Sequence, residues 1–354
     1  MTLRAAQSFR HKKFIKRSYH RLHLLIHKQL SPFAKLITIV ASKALLESRK
    51  QRQLNLSLAK SIKLIGFQPI QREFCSSSGQ TSKMGIFRTE SLENANVLVT
   101  GASGGIGAAT AILFARAGAN VLITARRESK LAEVKELAEK ANRDGGTNRG
   151  GKIHTMALDV QDPKSIESLL DRAPADIKTI DILVNNAGLV YGRDHVGELN
   201  FEEVQIMINT NVLGLMRVTN LIVKGMKERN KGHVINIGSI AGREPYAGGS
   251  VYCATKHAIK AFSGALIREL VSTPIRVSEV QPGMVETEFS VTRFRGDKQQ
   301  ADAVYQGLKP LVAEDIAEEV VWCAARPSHV NVAELFVLPT AQASATLSHR
   351  ENSK

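Results

Sequence analysis

Three cysteines occur in 354 residues, and no two of them form a spaced pair. Cys75, Cys253 and Cys323 therefore argue against a disulfide framework and a cysteine zinc site, and a reducing compartment is expected. No uninterrupted apolar run reaches the length needed to cross a bilayer, so no stable membrane span is expected. No internal repeat is present. Acid is nearly missing from residues 1–85, where 17 Lys and Arg face only Glu47 and Glu73. The rest of the chain carries 31 bases and 31 acids, so the net charge of +15 belongs wholly to the N-terminal extension. Those bases are not interleaved with aromatic side chains on which nucleotides stack, and no nucleic-acid role is expected.

The extension, residues 1–85, is rich in Lys, Arg, Ser, Leu and His, the composition of a mitochondrial transit peptide. An amphipathic helix is expected from Phe33 to Leu46, and Arg72–Ser77 resembles an arginine-anchored cleavage context. The alternative is translation from Met84, which implies a cytoplasmic protein. From residue 86 onward one catalytic domain is expected.

There, short apolar runs alternate with helical patterns, which points to an α/β, doubly wound parallel sheet. Seven strands are expected: Val97–Thr100, Val121–Thr124, Ile153–Leu158, Ile182–Val184, Val234–Ile237, Arg276–Val280 and Leu335–Leu338. Helices are expected over Gly105–Ala117, Ser129–Ala141, Pro163–Arg172, Phe201–Glu228, Val251–Leu270 and Ala313–Ala325, covering both faces. Asp144–Gly151 reads as a flexible connector.

Between the first strand and first helix lies Gly101-Ala102-Ser103-Gly104-Gly105-Ile106-Gly107. Strand, glycine-rich turn and helix N-terminus, in that order, form a dinucleotide cradle of the Rossmann type. The glycines let the backbone approach a pyrophosphate, and the helix start offers unpaired N–H groups. After the second strand stand Arg126 and Arg127, where an NAD site places an acid for the ribose hydroxyl. Two guanidiniums suit a 2′-phosphate, so NADP is the expected cofactor, with Arg126 the first contact and Arg127 the second. Glu128 reads as a first-turn helix acid.

Tyr252 and Lys256 are four residues apart, on one face if helical. A free phenol has a pKa of about 10 and is a poor base near neutrality. A neighbouring cation is expected to lower it, so that Tyr252 exchanges a proton with an alcohol or carbonyl. Ser239 ends the fifth strand, at the carboxyl edge where parallel sheets bind ligands, and its hydroxyl suits a substrate oxygen.

In order and spacing these residues resemble the short-chain dehydrogenase/reductase family, from about Asn96 to Thr287. The resemblance implies a single seven-stranded Rossmann-type domain with Asn211, Ser239, Tyr252 and Lys256 as catalytic residues. Asn211 matches a proton-relay position, and Lys256 one that reaches the nicotinamide ribose. Asp159 and Val160 match the adenine pair, and Asn186 lies in the Asn-Asn-Ala-Gly signature near the adenine ribose. Val285 and Thr287 match nicotinamide contacts. No metal is implied. A homotetramer or homodimer is implied, pairing the helices Phe201–Glu228 and Val251–Leu270.

Four further segments are similar to NADP-dependent 3-hydroxy acid dehydrogenases: Gly238–Arg243, Val285–Ser290, Arg293–Asp297 and Leu338–Ser344. The implied substrates are small 3-hydroxy acids such as serine, allo-threonine and 3-hydroxyisobutyrate. A carboxylate substrate needs a cation, preferably Arg, and Arg243, Arg293 and Arg295 are the candidates. Arg243→Ala is expected to raise KM for hydroxy acids more than for neutral alcohols. Glu288–Gln306 is expected to be a mobile lid. A 3-oxoacyl thioester reductase, and a non-catalytic NADP sensor, remain as alternatives. The sensor would have lost a member of the Tyr, Lys and Ser set, and none is missing.

Overall fold

The computed structural model describes residues 89–145 and 150–351. The expected transit segment, the Met84 start and the centre of the Asp144–Gly151 connector lie outside the described residues.

Seven parallel strands form one sheet in the order β3-β2-β1-β4-β5-β6-β7. They are β1 (Asn96–Thr100), β2 (Asn120–Ala125), β3 (Ile153–Ala157), β4 (Ile182–Asn185), β5 (His233–Ile237), β6 (Arg276–Pro282) and β7 (Glu334–Val337). Each lies within two residues of its expected bounds. The central strands are apolar runs because both faces of the sheet are covered. Val97 and Val99 of β1 enter one core with Phe114, Leu131 and Val320. Leu98, between them, points into the opposite core with Leu169, Val218 and Leu266. This alternation repeats along β2 and β4, so a one-residue register slip would exchange the two cores.

One core is covered by α1 (Gly105–Arg116), α2 (Glu128–Asp144) and α10 (Ala313–Ala324). The other is covered by α3 (Pro163–Glu167), α4 (Leu169–Arg172), α5 (Phe201–Ile208), α6 (Leu215–Arg229) and α7 (Ser250–Glu269). Two expected helices are interrupted. Pro163–Arg172 breaks at Ser168, whose hydroxyl donates back to the Lys164 carbonyl and competes with the helix ladder. Phe201–Glu228 passes through a π-helical turn, Asn209–Gly214. A Cβ on Gly214 would meet the Val160 carbonyl, so the widened turn packs closely on the loop after β3.

Among the described residues, Phe201–Arg229 is the one helical stretch long and apolar enough to cross a membrane, and half of its apolar window is buried in the protein. After β6 the lid segment forms two short helices, α8 (Glu288–Arg293) and α9 (Lys298–Ala303), capped by Thr287 and Asp297.

The sheet order reverses between β1 and β4, the first strands to run outward in opposite directions. A crevice opens beyond their carboxyl ends, as the doubly wound topology requires.

Candidate active site

A cleft of about 880 Å³ fills that crevice. One end is the glycine turn. Gly101 has φ +66°, and a Cβ there would strike Ala187. Asn186 Nδ2 donates to the carbonyls of Thr100 and Gly101, at 3.0 Å each, and fixes the turn. A Cβ on Gly107 would collide with the same Asn186 amide, so Gly107 packs beneath the cradle rather than lining it. The α1 N-cap, Gly104, supplies no side-chain cap, which leaves first-turn N–H groups free to bind an anion. Gly101, Ser103, Gly105 and Ile106 all line the cleft.

Arg126 and Arg127 line the same end, with Asp159, Val160 and Asn186 beside them. Arg126 makes no hydrogen bond or ion pair to any described residue. Arg127 donates to Ser103 Oγ at 3.1 and 3.3 Å and pairs with Glu288 of the lid at 3.2 Å. Both partners are largely exposed, so that ion pair adds little stability. It places the Arg127 guanidinium against the Ser103 hydroxyl and the Glu288 carboxylate, with Arg126 lining the same end of the cleft. Glu128 opens α2, as expected.

At the other end, α7 buries Tyr252 and Lys256 one turn apart. Lys256 Nζ donates to the Ile237 carbonyl at 2.8 Å, which ties α7 to the end of β5. Ser239, the second residue after β5, accepts from Ala241 N at 3.1 Å and lines the cleft together with Tyr252. Val285 bridges Leu311, and Thr287 packs on Gly105, bringing the segment after β6 back onto the cradle.

The expected electrostatics need correction. Burial, the dominant effect, pushes the Tyr252 phenol well above its ordinary range. The cation that chiefly opposes this is Arg293, not Lys256. Lys256 directs its ammonium to the Ile237 carbonyl, and burial lowers its pKa to about 8. The charge that holds Lys256 up is Glu279, a carboxylate 1% exposed inside β6. Glu279 packs against Gly238, between the residue that anchors Lys256 and Ser239. No spacing rule pointed to it.

Asn211 lies in the π-turn and does not line the cleft. Its Oδ1 accepts from Leu189 N at 2.9 Å, while Nδ2 donates to Leu189 O at 2.8 Å and Thr255 Oγ1 at 3.2 Å. The amide is thus committed to holding the loop after β4 against α7.

Of the three candidate arginines, two are turned away. Arg243 donates to Gln281 at 2.7 Å, pairs with Glu334 at 2.8 Å and stacks on Phe336. The 3-10 turn Ile240–Gly242 rotates it toward β6 and β7. Arg295 has φ +53° and is held by Asp194 and Glu203 outside the cleft. Neither fits a substrate carboxylate, and the Arg243→Ala expectation is withdrawn. Arg293 closes α8 and lines the cleft, its guanidinium 5.5 Å from the Tyr252 ring centroid. It donates to the Tyr246 hydroxyl at 3.2 Å, and its Nε is buried without a partner. Tyr246, Arg193 and Tyr305 also line this end, and no spacing rule pointed to them. Among the described residues no three His, Cys, Asp or Glu converge as a metal site.

The short chain dehydrogenase profile matches residues 95–298. The chain belongs to the short-chain dehydrogenase family. Similar members include the NADP-dependent 3-hydroxy acid dehydrogenase of Schizosaccharomyces pombe, 44% identical over 262 residues, 73% of this chain and 98% of that one. The enzyme of the same name from Escherichia coli is 42% identical over 257 residues, 72% and 99% of the two chains. Among solved structures, the closed form of a serine dehydrogenase complexed with NADP superposes with a TM-score of 0.65. It is 41% identical and covers 72% of this chain and 99% of its own. This short-chain dehydrogenase therefore spans nearly the whole length of those relatives and shares its fold with the solved one.

Proposed function

We propose that this short-chain dehydrogenase is an NADP-dependent 3-hydroxy acid dehydrogenase. It acts on small acids such as serine, allo-threonine and 3-hydroxyisobutyrate, or on the corresponding carbonyls. The observation that carries the substrate class is Arg293: a half-buried guanidinium that lines the cleft beside Tyr252 and pairs with no acid among the described residues. A guanidinium facing the cleft binds a carboxylate through charge-assisted hydrogen bonds. The names and NADP complex of the relatives agree with this reading.

The cradle fits the cofactor: Gly101 and Gly107 leave no room for side chains, the α1 start is uncapped, Arg127 meets Ser103, and Arg126 lines the same end of the cleft. Asp159, Val160 and Asn186 would hold the adenine half, and Lys256, Val285 and Thr287 the nicotinamide half. When bound, NADP supplies the acceptor for the hydride that leaves the carbon bearing the hydroxyl. Arg293 holds the carboxylate and so fixes the 3-carbon near Tyr252. Ser239 hydrogen-bonds the substrate oxygen. Tyr252 takes the hydroxyl proton in oxidation and returns it in reduction. Lys256 and the Asn211 carbonyl pass that proton onward. Because burial keeps the phenol protonated, Tyr252 is best poised as the acid of the reductive direction.

NADPH absorbance over a panel of 3-hydroxy acids, neutral alcohols and 3-oxoacyl thioesters tests the reading. Preference for the acids supports it; preference for thioesters overturns it. The exposed Phe201, Ile208 and Leu213 support a homodimer or homotetramer built on α5 and α6, which sedimentation would test. The acid-poor composition of residues 1–85 supports mitochondrial delivery. Fluorescent fusions of the full chain and of a chain begun at Met84 should then separate into mitochondria and cytoplasm. Identical distributions would refute delivery.

A further inference from the structure

We propose that residues Ala341–Glu351 form a strap across the substrate end of the cleft and set the length of substrate admitted. The proposal rests on the 3-hydroxy acid reading for its substrates and on separate geometry for the strap.

The strap is fastened at three places. Its first anchor is Gln342, nearly fully buried, whose Oε1 accepts from Met284 N at 2.8 Å just after β6. A Cβ on Gly283 would occupy the space of that Gln342 side chain, so the glycine is what lets the strap seat there. The second is Ala345 N, which donates to Glu244 Oε2 at 2.8 Å in the loop that follows Ser239. The third is at the end of the lid. Arg350 donates to the Gln306 carbonyl at 2.6 Å and the Val304 carbonyl at 2.9 Å, and Glu351 N donates to Gly307 O at 2.7 Å. Gly307 sits at φ +68°, where other residues are strained, and a side chain there would strike Glu351. Between anchors the strap folds on itself, with Gln342 bridging Ser348 and His349 N donating to Ala341 O at 2.8 Å.

These anchors lie on three different walls of the opening: the segment after β6, the loop after β5 and the lid. Ser344, Ala345, Thr346, Leu347, Ser348 and Arg350 face the cleft. A three- or four-carbon acid held by Arg293 fits behind them. A longer chain extending from C3, or the arm of a thioester, would have to displace the strap. The strap thus ties the lid carbonyls to the loops at the ends of β5 and β6, and it helps hold the lid down.

The test compares kcat/KM for unbranched 3-hydroxy acids of three to eight carbons in the wild type, in Arg350→Ala and in a chain ending at Thr340. A parallel series of unbranched aldehydes, reduced with NADPH, reads the same wall without a carboxylate. The ratio of eight-carbon to three-carbon turnover should rise tenfold or more on truncation and about threefold in Arg350→Ala. KM for NADP should stay within twofold. An unchanged ratio in Arg350→Ala and in the truncated chain overturns the strap. If the truncated chain fails to fold, the Arg350→Ala ratio decides alone. A wild type silent on every 3-hydroxy acid refutes the substrate reading, and the aldehyde ratios then still support or overturn the strap.

Discussion

Replacing Arg293 by Met keeps an unbranched apolar stem and removes the guanidinium with its charge. In the site that charge lies 5.5 Å from the Tyr252 ring and has no acidic partner among the described residues. Two opposite unit charges about 4 Å apart attract by about 4 kcal/mol at an effective dielectric of 20. Desolvating the carboxylate and the guanidinium returns part of this, and buried charge pairs typically lose about 2–5 kcal/mol when one partner is removed. A net loss of about 2–3 kcal/mol corresponds to a fall of about 30- to 150-fold in kcat/KM for a 3-hydroxy acid. Arg293 also holds the Tyr252 phenol down, so its loss should slow oxidation of every alcohol. The discriminating quantity is therefore a ratio. The kcat/KM for 3-hydroxybutyrate divided by that for 2-butanol, both followed by NADPH absorbance, should fall at least tenfold in Arg293→Met. An unchanged ratio would show that Arg293 tunes the phenol without touching the substrate, and the carboxylate assignment would be lost.

Three other perturbations have worked signs. The double variant Arg126→Ala, Arg127→Ala should raise KM for NADP about a hundredfold while leaving KM for NAD within threefold; parallel losses would detach the arginines from the 2′-phosphate. Glu279 raises the Lys256 pKa, which burial brings to about 8, so Glu279→Gln should lower it further. The alkaline limb of reductive kcat/KM should then move below pH 8, and an unmoved or raised limb would contradict the coupling. His233 is buried against Ser278 and held well below 6.5. Its native pKa is depressed, so the stability it confers is complete above pH 6.5 and declines as pH falls, by up to about 1.4 kcal/mol per unit. Urea midpoints at pH 7 and pH 5 should therefore differ more in the wild type than in His233→Gln; equal differences would refute the assignment.

The sheet was legible because its signals are local. A buried parallel strand must be an apolar run, and Val97–Thr100 or Val234–Ile237 cannot be much else between glycine turns. The cradle and the two arginines after β2 were legible for the same reason: each function rests on adjacent residues. What escaped depends on side-chain direction over long separations. Arg243, Arg293 and Arg295 are equivalent in sequence, yet a 3-10 turn and a left-handed residue turn two of them outward. Tyr252 and Lys256 share a helix face as expected, but the Ile237 carbonyl, at the end of the preceding strand, captures the ammonium. The amide of Asn211 was read as chemistry and proves to be held by Leu189 and Thr255. The Leu338–Ser344 segment carried a resemblance without a function; within it Gln342 is the buried anchor on Met284, across a separation of 58 residues.

The central claim is that Tyr252 moves the proton while the cradle binds NADP independently of it. Tyr252→Phe removes one hydroxyl from a buried ring and leaves the ring packed on Phe289. Turnover of 3-hydroxy acids and NADPH affinity by fluorescence titration, measured on the same preparation, test both halves together. The account predicts a loss of turnover of at least about a thousandfold, within the usual reach of general acid–base catalysis, with NADPH affinity changed less than threefold. Turnover within tenfold of wild type would contradict it.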